Sequence, residues 1–250
     1  MGAFESAFTT SNKETVGIVN SNQVYLTSNN ASVLTHFWFG PGSPWKVIRG
    51  DWDGNGIATI GIYNNNEFYL SNDNATVAKH FWFGPGGSWK PLVGDWNGDG
   101  TDSIGIYNSG QFYLSNDNAT VAPHFWFGPG GSWQPLVGNW TGTNGKDTIG
   151  IYNGNEFYLS NDNATVAQHF WFGPGGTWQP IVGDWNGDNS RSIGIYNGGE
   201  FYLSNDNATV AQHFWFGPGG TWQPIAGKWG TGTGVLPNPG SSAPTFVPKK

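Results

Sequence analysis

His80-Phe81-Trp82-Phe83-Gly84-Pro85-Gly86 is one of five copies of the same heptapeptide, which begins at His36, His80, His124, His169 and His213. The intervals are 44, 44, 45 and 44 residues, and the five histidines of the chain all stand at this one position. The 15 tryptophans follow the same period, three to a copy: Trp38, Trp45 and Trp52 in the first, Trp215, Trp222 and Trp229 in the last. A fixed period of this size dictates architecture before any single element is assigned. The copies are close: segment 67–95 differs from 111–139 only at positions 67, 79, 90 and 95. Each copy therefore meets nearly the same environment.

Working outward from the heptapeptide, turn residues divide each repeat into four short segments about 11 residues apart, the spacing of all-β folds. In the second copy these are Thr59–Tyr63, Glu67–Ser71, Lys79–Phe83 and Pro91–Asp95, separated by Asn64-Asn65-Asn66, Asn72-Asp73-Asn74 and Gly84-Pro85-Gly86-Gly87. No segment carries the i, i+3, i+4, i+7 apolar pattern of a helix. Phe81 and Phe83 point one way and His80 and Trp82 the other, so both strand faces are apolar or aromatic. A blade covered by neighbours on both sides accounts for this, whereas a sandwich strand keeps one face polar. Five repeats of four strands predict a five-bladed β-propeller. A β-solenoid is the alternative, although three bulky Trp per turn crowd its narrow core. Thr15–Val19 aligns with Thr59–Tyr63, and the last repeat ends at Gln223–Gly227, the strand before the acidic loop. The C-terminal strand is thus expected to complete the blade begun near the N-terminus and hide its edge. The domain plan is a lead-in over 1–14, a propeller over 15–236 and a Pro/Ser-rich tail over 237–250.

Composition narrows the functional classes. Only 11% of the 250 residues are charged and 16% are aromatic, with 40 Gly and 15 Pro. The net charge of −7 leaves no basic field for nucleic acid or anionic lipid. No Cys is present, so thiolate metal sites and disulfides are excluded. No apolar run approaches the roughly 20 residues of a membrane span, and Met1–Phe4 does not open a signal peptide. The ring is expected to act as a monomer.

Val93-Gly94-Asp95-Trp96-Asn97-Gly98-Asp99-Gly100-Thr101-Asp102-Ser103-Ile104-Gly105-Ile106-Tyr107 resembles the FG-GAP/VCBS-type repeat of integrin-like β-propellers, and the match recurs at 48–63 and 181–196 and more weakly at 137–152. The heptapeptide half is not part of that pattern. The resemblance implies a propeller, often with loop-bound calcium, in adhesion or extracellular recognition; some members are multivalent lectins. Five near-identical blades are also similar in plan to tachylectin-like propellers.

Three groups of residues are candidates for chemistry. The acidic loops place oxygen ligands at alternate positions: Asp51, Asp53 and Asn55; Asp95, Asn97 and Asp99; Asp184, Asn186 and Asp188. Such ligands on a glycine-loosened loop suit Ca²⁺, and equally suit Asx-turns that need no metal. The position that carries the family's usual carboxylate is Ser103 here. Asn139, Thr141 and Thr143 replace the ligands in the 45-residue interval, Lys228 takes the first position near the C-terminus, and Ala7, Thr9 and Ser11 fall there at the N-terminus. The second group is the Trp after each Gly-Gly-Ser/Thr, namely Trp89, Trp133, Trp178 and Trp222, read as a partly exposed sugar platform beside a flexible loop. The third is the turn that follows the second strand of the repeat: Asn72 and Asp73, Asn116 and Asp117, Asn161 and Asp162, Asn205 and Asp206, read as hydrogen-bonding partners for sugar hydroxyls. The Asn-Ala-Thr/Ser sequons at Asn30, Asn74, Asn118, Asn163 and Asn207 read first as turn chemistry, and the histidines as inter-blade packing. Nothing resembles a nucleophile elbow or an asymmetric carboxylate pair. The sequence therefore predicts a non-enzymatic, multivalent carbohydrate-binding propeller, with a protein-interaction scaffold as the alternative.

Overall fold

The computed structural model describes residues 12–230, so the lead-in up to residue 11, the tail from residue 231 and the N-terminal loop candidates Ala7, Thr9 and Ser11 lie outside the described residues. Within 12–230 the chain forms twenty strands in five four-stranded antiparallel sheets. Blade 1 holds β1 (Thr15–Asn20), β2 (Gln23–Thr27) and β3 (Val33–Trp38). Blade 2 holds β4 (Lys46–Gly50), β5 (Thr59–Asn64), β6 (Glu67–Leu70) and β7 (Lys79–Trp82). Blade 3 holds β8 (Lys90–Gly94), β9 (Ser103–Asn108), β10 (Gln111–Leu114) and β11 (His124–Trp126). Blade 4 holds β12 (Gln134–Gly138), β13 (Thr148–Asn153), β14 (Glu156–Leu159) and β15 (Gln168–Trp171). Blade 5 holds β16 (Gln179–Gly183), β17 (Ser192–Asn197), β18 (Glu200–Leu203) and β19 (Gln212–Trp215). The last strand, β20 (Gln223–Gly227), returns to blade 1 and pairs with β1 from Thr15↔Gly227 to Val19↔Gln223. Strands β4, β8, β12, β16 and β20 contact one another around the centre, so they are the innermost strands of a closed ring. The heptapeptide strands β3, β7, β11, β15 and β19 are the outermost. The architecture is a five-bladed β-propeller closed by its terminal strands.

The blades are held by the alternation of each strand. On one face of blade 1, Val24, Leu26, Phe37 and Phe39 meet Ile60 and Ile62 of blade 2, and all six are buried. The same contact recurs between blades 3 and 4 through Phe112, Leu114 and Phe127 against Ile149 and Ile151. Each of these side chains contributes about 1.5–3 kcal/mol of burial. Two glycine positions permit the close approach. Gly84, after the outermost strand, has φ +77° and lies against Ile106 of the next blade so closely that a Cβ would collide with the Ile106 Cδ1 atom. Gly94, ending an innermost strand, leaves room for the Trp96 ring, which a Cβ would meet at 3.0 Å, and for Val137 of blade 4 at 2.8 Å. Trp52, Trp96, Trp140 and Trp185 fill the core in this way with unpartnered indole N–H groups, while Trp229 Nε1 donates to the Thr15 carbonyl at 3.1 Å.

Strand direction divides the ring into two rims. The acidic loops and the Asn-Asp-Asn turns lie on one, and the Gly-Pro-Gly loops and the β1–β2, β5–β6 and equivalent hairpin turns lie on the other. At the acidic rim adjacent blades are latched: Asp102 donates its N–H to the Asp51 carbonyl at 2.7 Å, and Asp51 returns its N–H to Asp102 Oδ2 at 2.8 Å. The exchange repeats between Asp147 and Asp95, and between Glu14 and Asp184. Arg191 and Ala58 occupy the same register and keep only the backbone half, to Asn139 and Lys228.

Candidate ligand-binding rim

The acidic loops close on themselves. Asp51 Oδ1 accepts the N–H groups of Gly54 and Asn55, and Oδ2 accepts that of Gly56 at 2.7 Å. Asp95 and Asp184 accept three backbone N–H groups each in the same way. Asn97 and Asn186 turn their amide nitrogens to Asp99 and Asp188 at 2.8 Å. Among the described residues no three His, Cys, Asp or Glu side chains gather to hold a metal ion. The loops have the form of Asx-turns, and the calcium expectation rests on their spacing alone.

The Asn-Asp-Asn turns are also internally satisfied. Asp73 Oδ1 accepts from Ala75 N, Thr76 N and Ser71 Oγ, and Oδ2 from Thr76 Oγ1. Burial would raise the Asp73 carboxyl, but these donors outweigh it and hold it down at about 2. Asp117, Asp162 and Asp206 are held well below the usual carboxylate range by the same backbone donors. Asn74 takes a left-handed φ of 59° and its Oδ1 accepts the Ile60 N–H at 2.8 Å. Asn30 and Asn207 further donate Nδ2 to Gln212 and Gln168 of the adjoining blades, so these sequon amides are engaged in the fold.

These turns do not share a site with the predicted platforms. Strand β6 runs from Glu67 toward Asn72 and Asp73 on the acidic rim, whereas Trp89 leads into β8 from the opposite rim; the same holds for Asn116 and Asp117, Asn161 and Asp162, and Asn205 and Asp206. Antiparallel hairpins separate the two groups by the length of a blade. Trp89, Trp133, Trp178 and Trp222 are half-buried, each against a tyrosine of its own blade at 5.3 or 5.4 Å, edge-on to Tyr113, Tyr158 and Tyr25 and tilted for Trp178 on Tyr202.

The exposed indoles are those of the heptapeptide. Trp82, Trp126, Trp171 and Trp215 are 59% to 65% exposed and Trp38 is 38% exposed. Register explains their setting. Trp82 pairs with Glu67 and His80 with Tyr69 across β6 and β7, so the four side chains stand on one face of blade 2. They form an aromatic row that crosses the blade: Trp45 edge-on to Tyr69 at 5.3 Å, Tyr69 stacked on His80 at 4.0 Å, and His80 tilted against Trp82 at 4.4 Å. Glu67 Oε1 locks the row, accepting from Tyr69 Oη at 3.0 Å and pairing with His80 Nε2 at 2.9 Å. Burial and the Glu67 carboxylate raise the Tyr69 phenol, which stays protonated. Glu156 and Glu200 repeat the arrangement. Gln23 and Gln111 replace the carboxylate in blades 1 and 3, where the amide nitrogen faces His36 and His124 at 3.0 Å. Histidine is therefore bonded at the outer rim, where the sequence placed it between blades.

The rim thus offers five repeated exposed indoles, each on a strand whose imidazole stacks on a phenol of the neighbouring strand; the imidazole touches the indole in blades 1, 2 and 4. One sequence signal for them was legible: the Trp82 face carries His80, Glu67 and Tyr69, all with polar tips, while the Phe81 face carries only apolar side chains. A face with polar tips is the one that meets water.

The fold and these platforms define a five-bladed propeller with repeated aromatic surface sites. The chain matches no protein-family model, and no curated protein is similar to it. Among solved structures it is similar to a lectin of Agrocybe aegerita described as specifically recognising non-reducing terminal N-acetylglucosamine, with 15% identity, a TM-score of 0.43 and coverage of 81% of this chain; the chain spans 62% of that lectin. It is also similar to a protein of unknown function from Bacteroides caccae, with 7% identity, a TM-score of 0.46, and coverage of 81% of this chain and 72% of the other. The propeller assignment rests on the strand pairing of the chain itself.

Proposed function

We propose that the ring is a non-enzymatic, multivalent carbohydrate-binding module whose sites are the heptapeptide platforms at Trp38, Trp82, Trp126, Trp171 and Trp215. The observation that carries this reading is the repeated exposure of an indole beside the Tyr–His–Glu/Gln row, which touches it in blades 1, 2 and 4. An aromatic face suits the apolar face of a neutral sugar, and binding it costs little side-chain ordering. The neighbouring carboxylate or amide and imidazole supply hydrogen-bonding groups for hydroxyls. One such site is weak, but several on one ring raise avidity by about 10²–10⁴ where a glycan surface spans them.

Titration of neutral mono- and disaccharides, N-acetylated ones included, tests the reading by NMR of the indole N–H resonances. Shifts at several heptapeptide indoles, abolished site by site in Trp82→Ala and Trp126→Ala, are expected. Silence across that panel and across a glycan array defeats it.

A second reading, a protein-interaction scaffold, draws on one further observation. Val33, Val77, Val121, Val166 and Val210 are 41% to 52% exposed in the segments that enter the outermost strands, so each strand carries an apolar side chain near both ends. Exposed apolar residues beside an unpaired strand edge suit a protein partner. Loss of sugar binding alone in the Trp variants favours the first reading; loss of a captured protein in Val77→Ser and Val121→Ser with sugar binding intact favours the second.

A further inference from the structure

The five platforms are not chemically alike, because the residue opposite the exposed indole changes. Across the two outer strands Glu67 pairs with Trp82, Glu156 with Trp171 and Glu200 with Trp215, whereas Gln23 pairs with Trp38 and Gln111 with Trp126. Directly paired residues share a face and hold their Cβ atoms about 4.5–5.5 Å apart. Position 67 is one of the four at which segment 67–95 differs from its copy at 111–139, so the exchange falls on an otherwise repeated background.

The exchange reverses the hydrogen bonds beside the indole. A carboxylate only accepts. In blade 2, Tyr69 Oη therefore donates to Glu67 Oε1 at 3.0 Å, and His80 Nε2 donates to the same oxygen at 2.9 Å. Glu156 and Glu200 repeat both distances in blades 4 and 5. In blade 3 the Gln111 amide nitrogen donates instead, to Tyr113 Oη at 2.9 Å and to His124 Nε2 at 3.0 Å. Gln23 does the same in blade 1, with Tyr25 at 3.3 Å and His36 at 3.0 Å. One oxygen of each side chain is left over. Oε2 of Glu67, Glu156 and Glu200, and Oε1 of Gln23 and Gln111, bond to none of the described residues. Three platforms thus carry a spare charged oxygen and two a spare neutral one.

That charge has no cation beside it. The three glutamate side chains are 20% to 29% exposed, and among the described residues their ion-pair partners are the histidines alone, which are charged only when protonated. Lys79, the one lysine or arginine in the outermost strands, stands with Phe81 on the other face of blade 2. The indole next to each carboxylate is the side chain whose face attracts a cation most strongly. A spare carboxylate oxygen and an open indole on one face suit the same ligand group, an ammonium.

We propose that the platforms at Trp82, Trp171 and Trp215 select an amino sugar, a pyranose bearing a free ammonium group, while those at Trp38 and Trp126 do not distinguish it from neutral sugars; the proposal rests on the carbohydrate reading above. The apolar face of the ring lies on the indole, and the ammonium donates to the glutamate Oε2 in a charge-assisted hydrogen bond. The net charge of −7 draws the same cation toward the ring.

Titration of the whole chain at pH 7 with glucosamine, N-acetylglucosamine, glucose and n-butylammonium, followed at the indole N–H resonances, tests it. Glucosamine should bind about five- to tenfold tighter than glucose at Trp82, Trp171 and Trp215, as an exposed ion pair and an exposed cation–π contact supply together. At Trp38 and Trp126 it should bind no tighter. The preference should shrink as NaCl approaches 1 M, where the screening length is about 3 Å. Glu67→Gln should bring Trp82 to the level of Trp126, and Gln111→Glu should raise Trp126 to the level of Trp82. Each variant copies a residue that another blade already carries at this position. Glucosamine preferred equally at all five indoles or at none, or a preference at Trp82 that survives Glu67→Gln, overturns the proposal while the neutral platforms stand. Butylammonium bound as tightly as glucosamine overturns the sugar as the ligand. Silence of all three sugars at every indole defeats the carbohydrate reading itself, and the missing glucose shifts tell that failure from the others.

Discussion

Arg191 lies between Asp147 and Glu14 at the mouth of the central channel, with Nη1 2.8 Å from Asp147 Oδ1 and Nη2 3.0 Å from Glu14 Oε1. These residues belong to blades 5, 4 and 1, and they occupy a register where the near-identical repeats diverge in charge: Glu14, Ala58, Asp102, Asp147 and Arg191. Five carboxylates converging on an axis would repel one another, so the copies cannot all be alike there. Burial alone would push Glu14 up, but Arg191 and Arg49 hold it below its ordinary value.

Arg191→Met should therefore be strongly destabilising, by about 3–5 kcal/mol at pH 8, because two buried carboxylates lose their partner. The loss should shrink at pH 5, because burial without the guanidinium raises the Glu14 carboxyl and its protonation relieves the charge. Chemical denaturation at the two pH values checks this; an equal loss at both would show that packing of the arginine stem, and not its charge, matters.

Asp102 titrates in the opposite sense. Burial, with the Asp147 charge beside it, raises its carboxyl from 3.8 to about 7. The native state then holds a proton that the unfolded state has released, so stability falls as pH rises between about 4 and 7. Asp102→Asn keeps an acceptor for the Asp51 N–H and removes the buried charge. It should raise Tm at pH 8 and leave it nearly unchanged at pH 4. A lower Tm at pH 8 would contradict the assignment.

The repeat period, the strand-sized segments and the offset of the chain ends made the ring legible in the sequence: Thr15 and Gly227 could be seen to belong to one blade before they were seen to pair. The site was less legible because exposure on a propeller depends on the radius of a strand, and the sequence of a repeat does not state which strand is outermost. Trp82, in an apolar strand, stands in solvent, whereas Trp52, flanked by Asp51 and Asp53 in an acidic loop, is 2% exposed. The pairing of Trp89 with Asn72 and Asp73 failed for a related reason. Residues close in the repeat lie on opposite rims once the intervening hairpin turns the chain round.

The two tryptophan classes should separate under mutation. Trp126→Ala removes an exposed side chain from the outermost strand and should change stability by less than about 0.5 kcal/mol. Trp185→Ala opens the core between Gly183 and the blade behind it and should cost about 3–5 kcal/mol. Trp185→Phe should cost less than Trp185→Ala, since the phenyl ring still fills much of the space that alanine leaves empty. Urea unfolding of the three variants measures the order.

The acidic loops should keep their shape without metal, since Asp51, Asp95 and Asp184 already satisfy the backbone N–H groups that a turn would leave open. A chelator is expected to leave Tm unchanged, and Asp95→Ala to lower it by about 0.5–2 kcal/mol in stability through loss of the loop cap. A Tm that drops with the chelator and recovers with calcium would instead support the metal reading, because a ligand that binds only the folded state stabilises it.

Ring closure is the most demanding test of the architecture. Strand β20 supplies blade 1 with its innermost strand, buries Ala226 against Val16, and brings Trp229 into the core beside Ala58 and Ile60. Its removal would expose the β1 edge from Thr15 to Val19 and open the contact between blades 5 and 2 around the channel. A chain ending at Thr221 should therefore lose cooperative unfolding or associate through the bared edge, since an unpaired strand is a template for another chain. A chain ending at residue 236 should melt like the full chain, which separates loss of β20 from loss of the tail. A peptide of residues 222–236 added in trans should restore the monomeric, cooperative transition to the shorter chain, with saturation at one peptide per ring. An unchanged melting profile for the chain ending at Thr221 would mean that β20 does not close the ring.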